Sequence, residues 1–212
     1  MAYQPDESTA NLLDTLVAIV TANILWILTS IPIVTLPAAT GGLFAVLMPR
    51  VRGRKPEAFD AFFEGVRHYW RQSTLCFLLD GLLGVWVAAN SLIIPRMGSP
   101  SWLTILSGGV TLLVGLNVLL VNLYFWPLLV TVELPFRALI DMSFRMALGH
   151  ALWSLLIAAG VGVAVVLTLL LPGFVTVIVA FAGGALWISW GAWRVIARYI
   201  EAENAANPET SQ

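Results

Sequence analysis

Long apolar stretches separated by short polar ones make up most of this chain, and several approach or exceed about 18 residues. A helix needs about 20 apolar residues to cross the hydrocarbon core of a bilayer. The pattern therefore predicts an all-α, polytopic membrane bundle of about six segments, within a single domain over residues 1–200. Because the runs are continuous rather than alternating, an outer-membrane barrel is excluded. The predicted segments cover residues 12–31, 37–53, 73–95, 102–132, 151–171 and 174–193.

Two prolines break the first long run before it reaches the charge at Arg50. One helix cannot continue through both Pro32 and Pro37, because proline removes a backbone donor and clashes with the preceding turn. Pro37 suits the first turn of a returning helix. From Pro37 to Pro49 that helix rises roughly 18 Å, against a hydrocarbon core of roughly 30 Å. We therefore expect a re-entrant-like turn at residues 31–36, sunk in the outer half of the membrane, sheltered by protein and not facing lipid.

Two further stretches are amphipathic. In residues 57–72, aromatic and apolar residues recur at three- and four-residue spacing, while the charges fall largely opposite. Residues 135–149 repeat the arrangement, with Arg137, Asp141 and Arg145 spaced by four. Helices of this kind lie in the membrane interface, so we predict two cytoplasmic interfacial helices. Residues 201–212 are polar and predict a disordered tail.

Composition and charge support this membrane assignment. Hydrophobic residues make up 59% of the chain and charged residues 11%, whereas a soluble domain carries about a quarter charged residues. If both termini are cytoplasmic, ten of the eleven Lys and Arg residues lie inside and only Arg96 lies outside, as the positive-inside rule requires. Residues 1–14 contain acids but no base, which predicts no cleavable signal peptide. We therefore expect a multi-pass protein of the cell (inner) membrane. Its single cysteine, Cys76, excludes an internal disulfide.

The break between the first two segments is the first candidate site. Backbone donors at the start of the returning helix, and the hydroxyls of Thr35 and Thr40, occur where broken helices bind ligands in transporters. The sequence favours the alternative, a structural hairpin whose polar groups satisfy one another. Embedded asparagines, Asn23 and Asn122 among them, are expected to bond across helices. The candidate residues of this region are Asn23, Pro32, Thr35, Pro37 and Thr40.

Asp80 is the second candidate, because it is the one acid well inside an apolar run. It lies about two turns from the predicted inner interface. Intramembrane acids are costly and often serve proton coupling or contact with a polar substrate. The alternative is a carboxylate paired with Arg67, Arg71 or another base of the inner face, or a protonated one. The sequence weighs these two interpretations equally.

Four basic residues follow the second segment, and anionic lipid headgroups are their natural partners. The surrounding charge is too sparse for nucleic acid. Catalytic motifs such as His-Glu-x-x-His and Gly-x-Ser-x-Gly do not occur in the sequence. We therefore predict no catalytic residues, no metal and no cofactor. The predicted headgroup-binding residues are Arg50, Arg52, Arg54 and Lys55.

Several of these residues together resemble the YesL-like family of small bacterial integral membrane proteins. They are Asn23 and Trp26, the block Ser30-Ile-Pro-Ile-Val-Thr-Leu-Pro-Ala-Ala-Thr40, Arg52-Gly53, and the helix of Phe59 and Phe62. The resemblance covers most of the chain, and Pro-x-x-Thr-x-Pro-Ala-x-Thr is its most distinctive part. The family has no established activity. Its members often neighbour carbohydrate uptake systems of the ABC type, so the resemblance implies an accessory or partner role.

Three functional hypotheses follow. The first is a non-enzymatic accessory subunit of a solute uptake system, with an ABC-type carbohydrate transporter component or a second copy of this chain as the partner. The second is a small transporter or channel that uses Asp80 and the broken helix at Pro32 and Pro37. An intramembrane enzyme ranks third.

Overall fold

The computed structural model describes residues 7–96, 101–170 and 173–206, and every regular element in these ranges is helical. Four helical stretches are long and apolar enough to cross a membrane, or five if a bent pair counts as one span. This agrees with an all-α membrane bundle. Short 3-10 turns cover Ile33–Thr35 and Ile94–Arg96. The helices are α1 (Glu7–Ser30), α2 (Leu36–Val51), α3 (Ala58–Ile93), α4 (Trp102–Leu129), α5 (Phe136–Gly149), α6 (Ala151–Leu170) and α7 (Gly173–Ala206).

Helix α2 lies at the centre of the bundle and packs against α1, α3, α4 and α7. Its 16 residues rise about 24 Å, less than the roughly 30 Å of a hydrocarbon core. Most of its side chains are buried, from Pro37 through Met48. Leu47 and Met48 have no exposed surface. The short helix is therefore covered by its longer neighbours.

Glycines allow α2 and α3 to pack with their backbones in contact. A Cβ added to Gly65 on α3 would lie 2.5 Å from the Cβ of Ala45 and 3.1 Å from the Cα of Gly42, both on α2. A Cβ on Gly41 would lie 2.8 Å from the hydroxyl oxygen of Ser73. Close approach of this kind gives membrane helices the van der Waals contacts that hold them together.

Helix α3 corrects the predicted boundary between an interfacial helix at 57–72 and a membrane segment at 73–95. The structure shows one helix of 36 residues, about 54 Å long and far longer than a membrane core. Neither proline nor glycine separates Trp70 from Ser73, so nothing in the backbone ends the helix there. The amphipathic half also buries Phe62 and Gly65 against α2 rather than lying apart from the bundle.

Among the last three helices, only α7 differs clearly in length from the prediction. Helix α5 matches the predicted amphipathic stretch, and it meets α6 at a bend of 98°. Helix α7 continues to Ala206, so the first six residues of the predicted disordered tail are helical. Residues 207–212 of that tail lie outside the described ranges, as does residue 171 at the end of the fifth predicted segment.

The turn between α1 and α2 is less sheltered than expected. Ile31, Ile33 and Val34 expose 73%, 75% and 85% of their surfaces, so the tip faces outward although α2 behind it is buried. The irregular backbone is nevertheless partly satisfied within the turn, because the Thr35 amide donates to the Pro32 carbonyl at 2.9 Å. The shelter that the sequence predicted for this turn therefore covers α2 and not the tip.

The glycine contact generates a stability prediction. Replacing Gly65 with alanine forces α2 and α3 apart, because the added methyl group meets Ala45 and the Gly42 backbone. We expect a loss of about 1–3 kcal/mol, the usual cost of overpacking. Gly81→Ala is the matched control, since the same helix has open space there. It should be neutral or stabilising by up to about 1 kcal/mol. Thermal unfolding in mild detergent measures both, and equal midpoints would contradict the contact.

The length of the hairpin generates a labelling prediction. Asp14 pairs with Arg50 at its base, and α1 rises only about 24 Å from Asp14 to its end at Ser30. With the base at the inner surface, a cysteine at Val34 should stay below the outer surface. In a Cys76→Ser background, we expect Val34→Cys to resist a membrane-impermeant maleimide on intact cells while Ser101→Cys reacts. Equal labelling of the two would show that the hairpin crosses the whole membrane.

Candidate functional site

The hydroxyl of Thr35 bonds within the turn. Its oxygen donates to the Pro32 carbonyl at 2.7 Å and also approaches the Thr29 carbonyl at the end of α1. Pro32 is extended, with φ −76° and ψ 114°, and precedes the 3-10 turn. Pro37 occupies the first turn of α2 and is buried. These residues therefore shape and close the hairpin.

Thr40 joins α2 to α1. Its hydroxyl donates to the Leu36 carbonyl at 2.9 Å and accepts the indole N–H of Trp26 at 3.1 Å. The Trp26 ring stacks on Phe181 of α7, with ring centroids 4.5 Å apart. Thr40, a candidate site residue from the sequence, therefore holds the aromatic pair of Trp26 and Phe181 where three helices meet.

Asn23 connects the first helix to the last. Its side chain has no exposed surface, and its amide oxygen accepts the backbone N–H of Ala182 at 3.1 Å. A buried side chain that accepts a main-chain donor from another helix fixes the rotation of both helices. Asn23 therefore positions α1 against α7, beside the aromatic pair of Trp26 and Phe181.

A cavity of about 530 Å³ lies where α1, α2, α4, α6 and α7 meet. Most of its wall is apolar, including Leu43 and Phe44 of α2. The size falls in the usual range for ligand pockets, roughly 300–1,000 Å³. The lining side chains that carry polar groups are Trp26, Thr40, Asn122 and Trp126.

Asn122 connects this cavity to Asp80. Its amide oxygen accepts the indole N–H of Trp126 at 3.0 Å, and its nitrogen donates to the Val118 carbonyl at 2.9 Å. The Asn122 side chain also lies beside the Asp80 carboxyl, which accepts the Cys76 thiol at 3.6 Å. Asp80 therefore lies directly behind the cavity wall, and the structure brings together the two candidate regions that the sequence treated separately.

Asp80 does not pair with the bases that the sequence offered for it. The ion pairs within 4 Å that the described residues form join Arg50 to Asp14 and Arg145 to Asp141. Arg67 and Arg71 lie on the exposed face of the same helix, nine or more residues before Asp80. The neutral partners Cys76 and Asn122 take the place of a cation.

The basic cluster contributes to the fold as well as to the surface. Arg50 exposes only 7% of its side chain and pairs with Asp14 at 2.9 Å, and it donates to the Pro56 carbonyl at 3.0 Å. The guanidinium of Arg52 packs over the ring of Trp193 at 4.9 Å. Arg54 and Lys55 are exposed. The expected headgroup contact therefore fits Arg54 and Lys55, whereas Arg50 is buried in a pair that joins α1 to α2.

Sequence reasoning missed the cavity. It assigned Asn122 to helix packing, although the four-residue spacing from Asn122 to Trp126 places the two on one helix face. Phe181 received no role. The available signal was the coincidence of Asn and Trp at this spacing in an apolar helix, but spacing within one helix does not show which other helices complete a wall.

Metal ligands do not converge in the part of the chain that the structure describes: no three His, Cys, Asp or Glu side chains form a group that would hold an ion. His68 lies with Glu64 and Glu133 beside a polar cleft of about 330 Å³ at the basic end of the bundle.

Comparisons with known proteins show which sequences this chain resembles. Residues 19–91, from α1 through most of α3, match the family described as "Protein of unknown function, DUF624". "Uncharacterized protein YesL" of Bacillus subtilis (strain 168) is 27% identical over 193 residues, which cover 87% of this chain and 88% of that protein. The resemblance to the YesL-like family is confirmed. No solved structure matches the chain. The match to the DUF624 family, over residues 19–91, contains the turn of the hairpin, Asp80 and the basic cluster, but it ends before Asn122.

The Asn122 network generates a prediction. Removing its side chain in Asn122→Ala leaves the Trp126 indole and the Asp80 carboxyl without a shared partner, so we expect a loss of about 1–3 kcal/mol. Asn117→Ala is the matched control, because Asn117 on the same helix donates to its own Leu113 carbonyl. It should change stability by no more than about 0.5 kcal/mol. The measurement is thermal unfolding in detergent, and an equal effect of both variants would refute the network.

Proposed function

We propose that this chain is a non-enzymatic accessory subunit of a solute uptake system, with an ABC-type carbohydrate transporter as the partner class. It would lie in the cell (inner) membrane with both termini cytoplasmic. Its membrane-capable helices support the membrane assignment. The exposed aromatic face at the start of α3 is the observation that supports a docking role.

The first half of α3 extends beyond what a membrane needs. The helix is about 54 Å long, so roughly 24 Å remains after a 30 Å core is crossed. Charged residues occupy this half, which places it outside the hydrocarbon. Asp60, Glu64 and Arg67 are exposed there. A helix held rigidly against α2 therefore presents a charged surface at the basic side of the bundle.

Beside these charges runs an exposed aromatic stripe, defined by Phe59, Phe63 and Trp70. Spacings of four and seven residues put the three on one helix face. They expose 54%, 41% and 50% of their surfaces. Aromatic residues flanked by charges are typical of the hot spots of protein interfaces. We propose that the aromatic stripe contacts the partner.

Substitution in the stripe tests the proposal. In pull-downs from native membranes under mild detergent, Trp70→Gln should lower recovery of a transporter component about tenfold or more, as expected for an interface tryptophan. Trp102→Gln is the control, because Trp102 is also an exposed tryptophan but begins α4 at the other end of the bundle. Recovery of no transporter component with the wild-type chain, or equal recovery with both variants, would contradict the proposal.

A transporter or channel is the second candidate, and the position of Asp80 favours it. The carboxyl lies behind a cavity wall that also contains Thr40 of the broken helix. Vesicles that contain this chain alone distinguish the two functions. Solute uptake that is lost in Asp80→Asn would favour a transporter, whereas absence of uptake together with a recovered partner would favour the accessory role.

Anionic lipid headgroups are proposed as a further partner. Exposed Arg54 and Lys55 supply the charge, with Arg52 beside them. A homo-oligomer remains compatible with the same surfaces and is proposed only as an alternative occupant of the aromatic stripe.

A further inference from the structure

We propose that the cavity between α1, α2, α4, α6 and α7 binds one acyl chain of a bilayer phospholipid, which enters sideways from the membrane. This site is independent of the partner proposed above, because it lies on other residues and faces the lipid. Its opening, its chemistry and its depth support the assignment in turn.

The cavity opens toward lipid. Leu119 of α4, Val165 of α6 and Phe181 of α7 all line it, yet they expose 49%, 53% and 50% of their surfaces. Because these side chains both line the cavity and lie on the protein surface, the cavity opens between α4, α6 and α7. Bilayer lipid surrounds such helices, so an acyl chain reaches the cavity without passing through water.

The wall fits an occupant that forms no hydrogen bonds. Trp26 bonds Thr40, and Trp126 bonds Asn122; each acceptor also bonds a carbonyl of its own helix. A sugar would have to leave its own hydroxyl groups unpaired or break these bonds, which is costly in an apolar site. A hydrocarbon chain has no such cost.

The depth also fits a chain rather than a headgroup. Trp26 lies twelve residues above Asp14 and Thr40 ten residues from Arg50, or about 18 Å and 15 Å along their helices. The Arg50–Asp14 pair marks the charged base of the hairpin, so the cavity lies near the middle of a core about 30 Å thick. An empty apolar space there forfeits dispersion contacts, and apolar cavities of only about 150 Å³ already capture apolar molecules.

Two glycines provide a matched test. Gly184 lines the cavity and Gly162 faces outward on α6; a Cβ on either meets no atom within 4 Å. Phospholipid retained per chain is counted by native mass spectrometry after a delipidating detergent wash. We expect about one for the wild type and for Gly162→Leu, and about tenfold less for Gly184→Leu. Equal retention in all three, or recovery of a non-lipid occupant, would overturn the proposal.

A second measurement uses the wild-type chain and so does not depend on folding of a variant. Phospholipid with a diazirine in the middle of its acyl chain is incorporated into vesicles with the protein and activated by light. Crosslinks should concentrate on residues 119–126 and 181–188. A yield on the outward face of α3, at Leu78 and Leu82, equal to that on the cavity peptides would show general lipid contact and overturn the site.

Discussion

The structure depends on the backbone contact between α2 and α3. At Gly65 the two helices leave room for a hydrogen atom and no methyl group. A helix of 16 residues is too short to hold its place in a membrane by its own apolar length. The contact with α3 attaches it to a much longer helix, and α1, α4 and α7 are its remaining neighbours. The size of one residue thus determines how a short central helix is supported.

The base and the upper part of the α1–α2 hairpin have different roles. At the base, Arg50 and Asp14 form a pair that fixes the two helices in register. Toward the turn, Thr40 and Trp26 form a hydrogen bond at the edge of the cavity. The base provides rigidity through charge, and the upper part provides an apolar wall. A polar network behind that wall, centred on Asn122, then brings Asp80 close to the same space without exposing its carboxyl to it.

Local chemistry explains which features the sequence predicted. Proline acts on its own turn, so Pro32 and Pro37 predicted the break and the start of α2. The continuity of α3 was missed because a change from amphipathic to apolar composition alters what surrounds a helix but does not end it. Cys76 lies four residues before Asp80, so their contact follows from helix geometry. Asn122 belongs to another helix, and no spacing in the sequence reveals that it meets Asp80. The cavity requires five helices and was beyond the same reasoning.

The bond between Asn23 and Ala182 joins residues 159 positions apart, and this separation affects how the chain matures. A membrane protein is made from its amino end, so α1 enters the bilayer long before α7 exists. Until residue 182 emerges, the amide oxygen of Asn23 has yet to receive this donor within a helix that is otherwise suited to lipid. The earliest helix therefore completes this contact with the latest one, and the bundle closes only when synthesis is nearly finished.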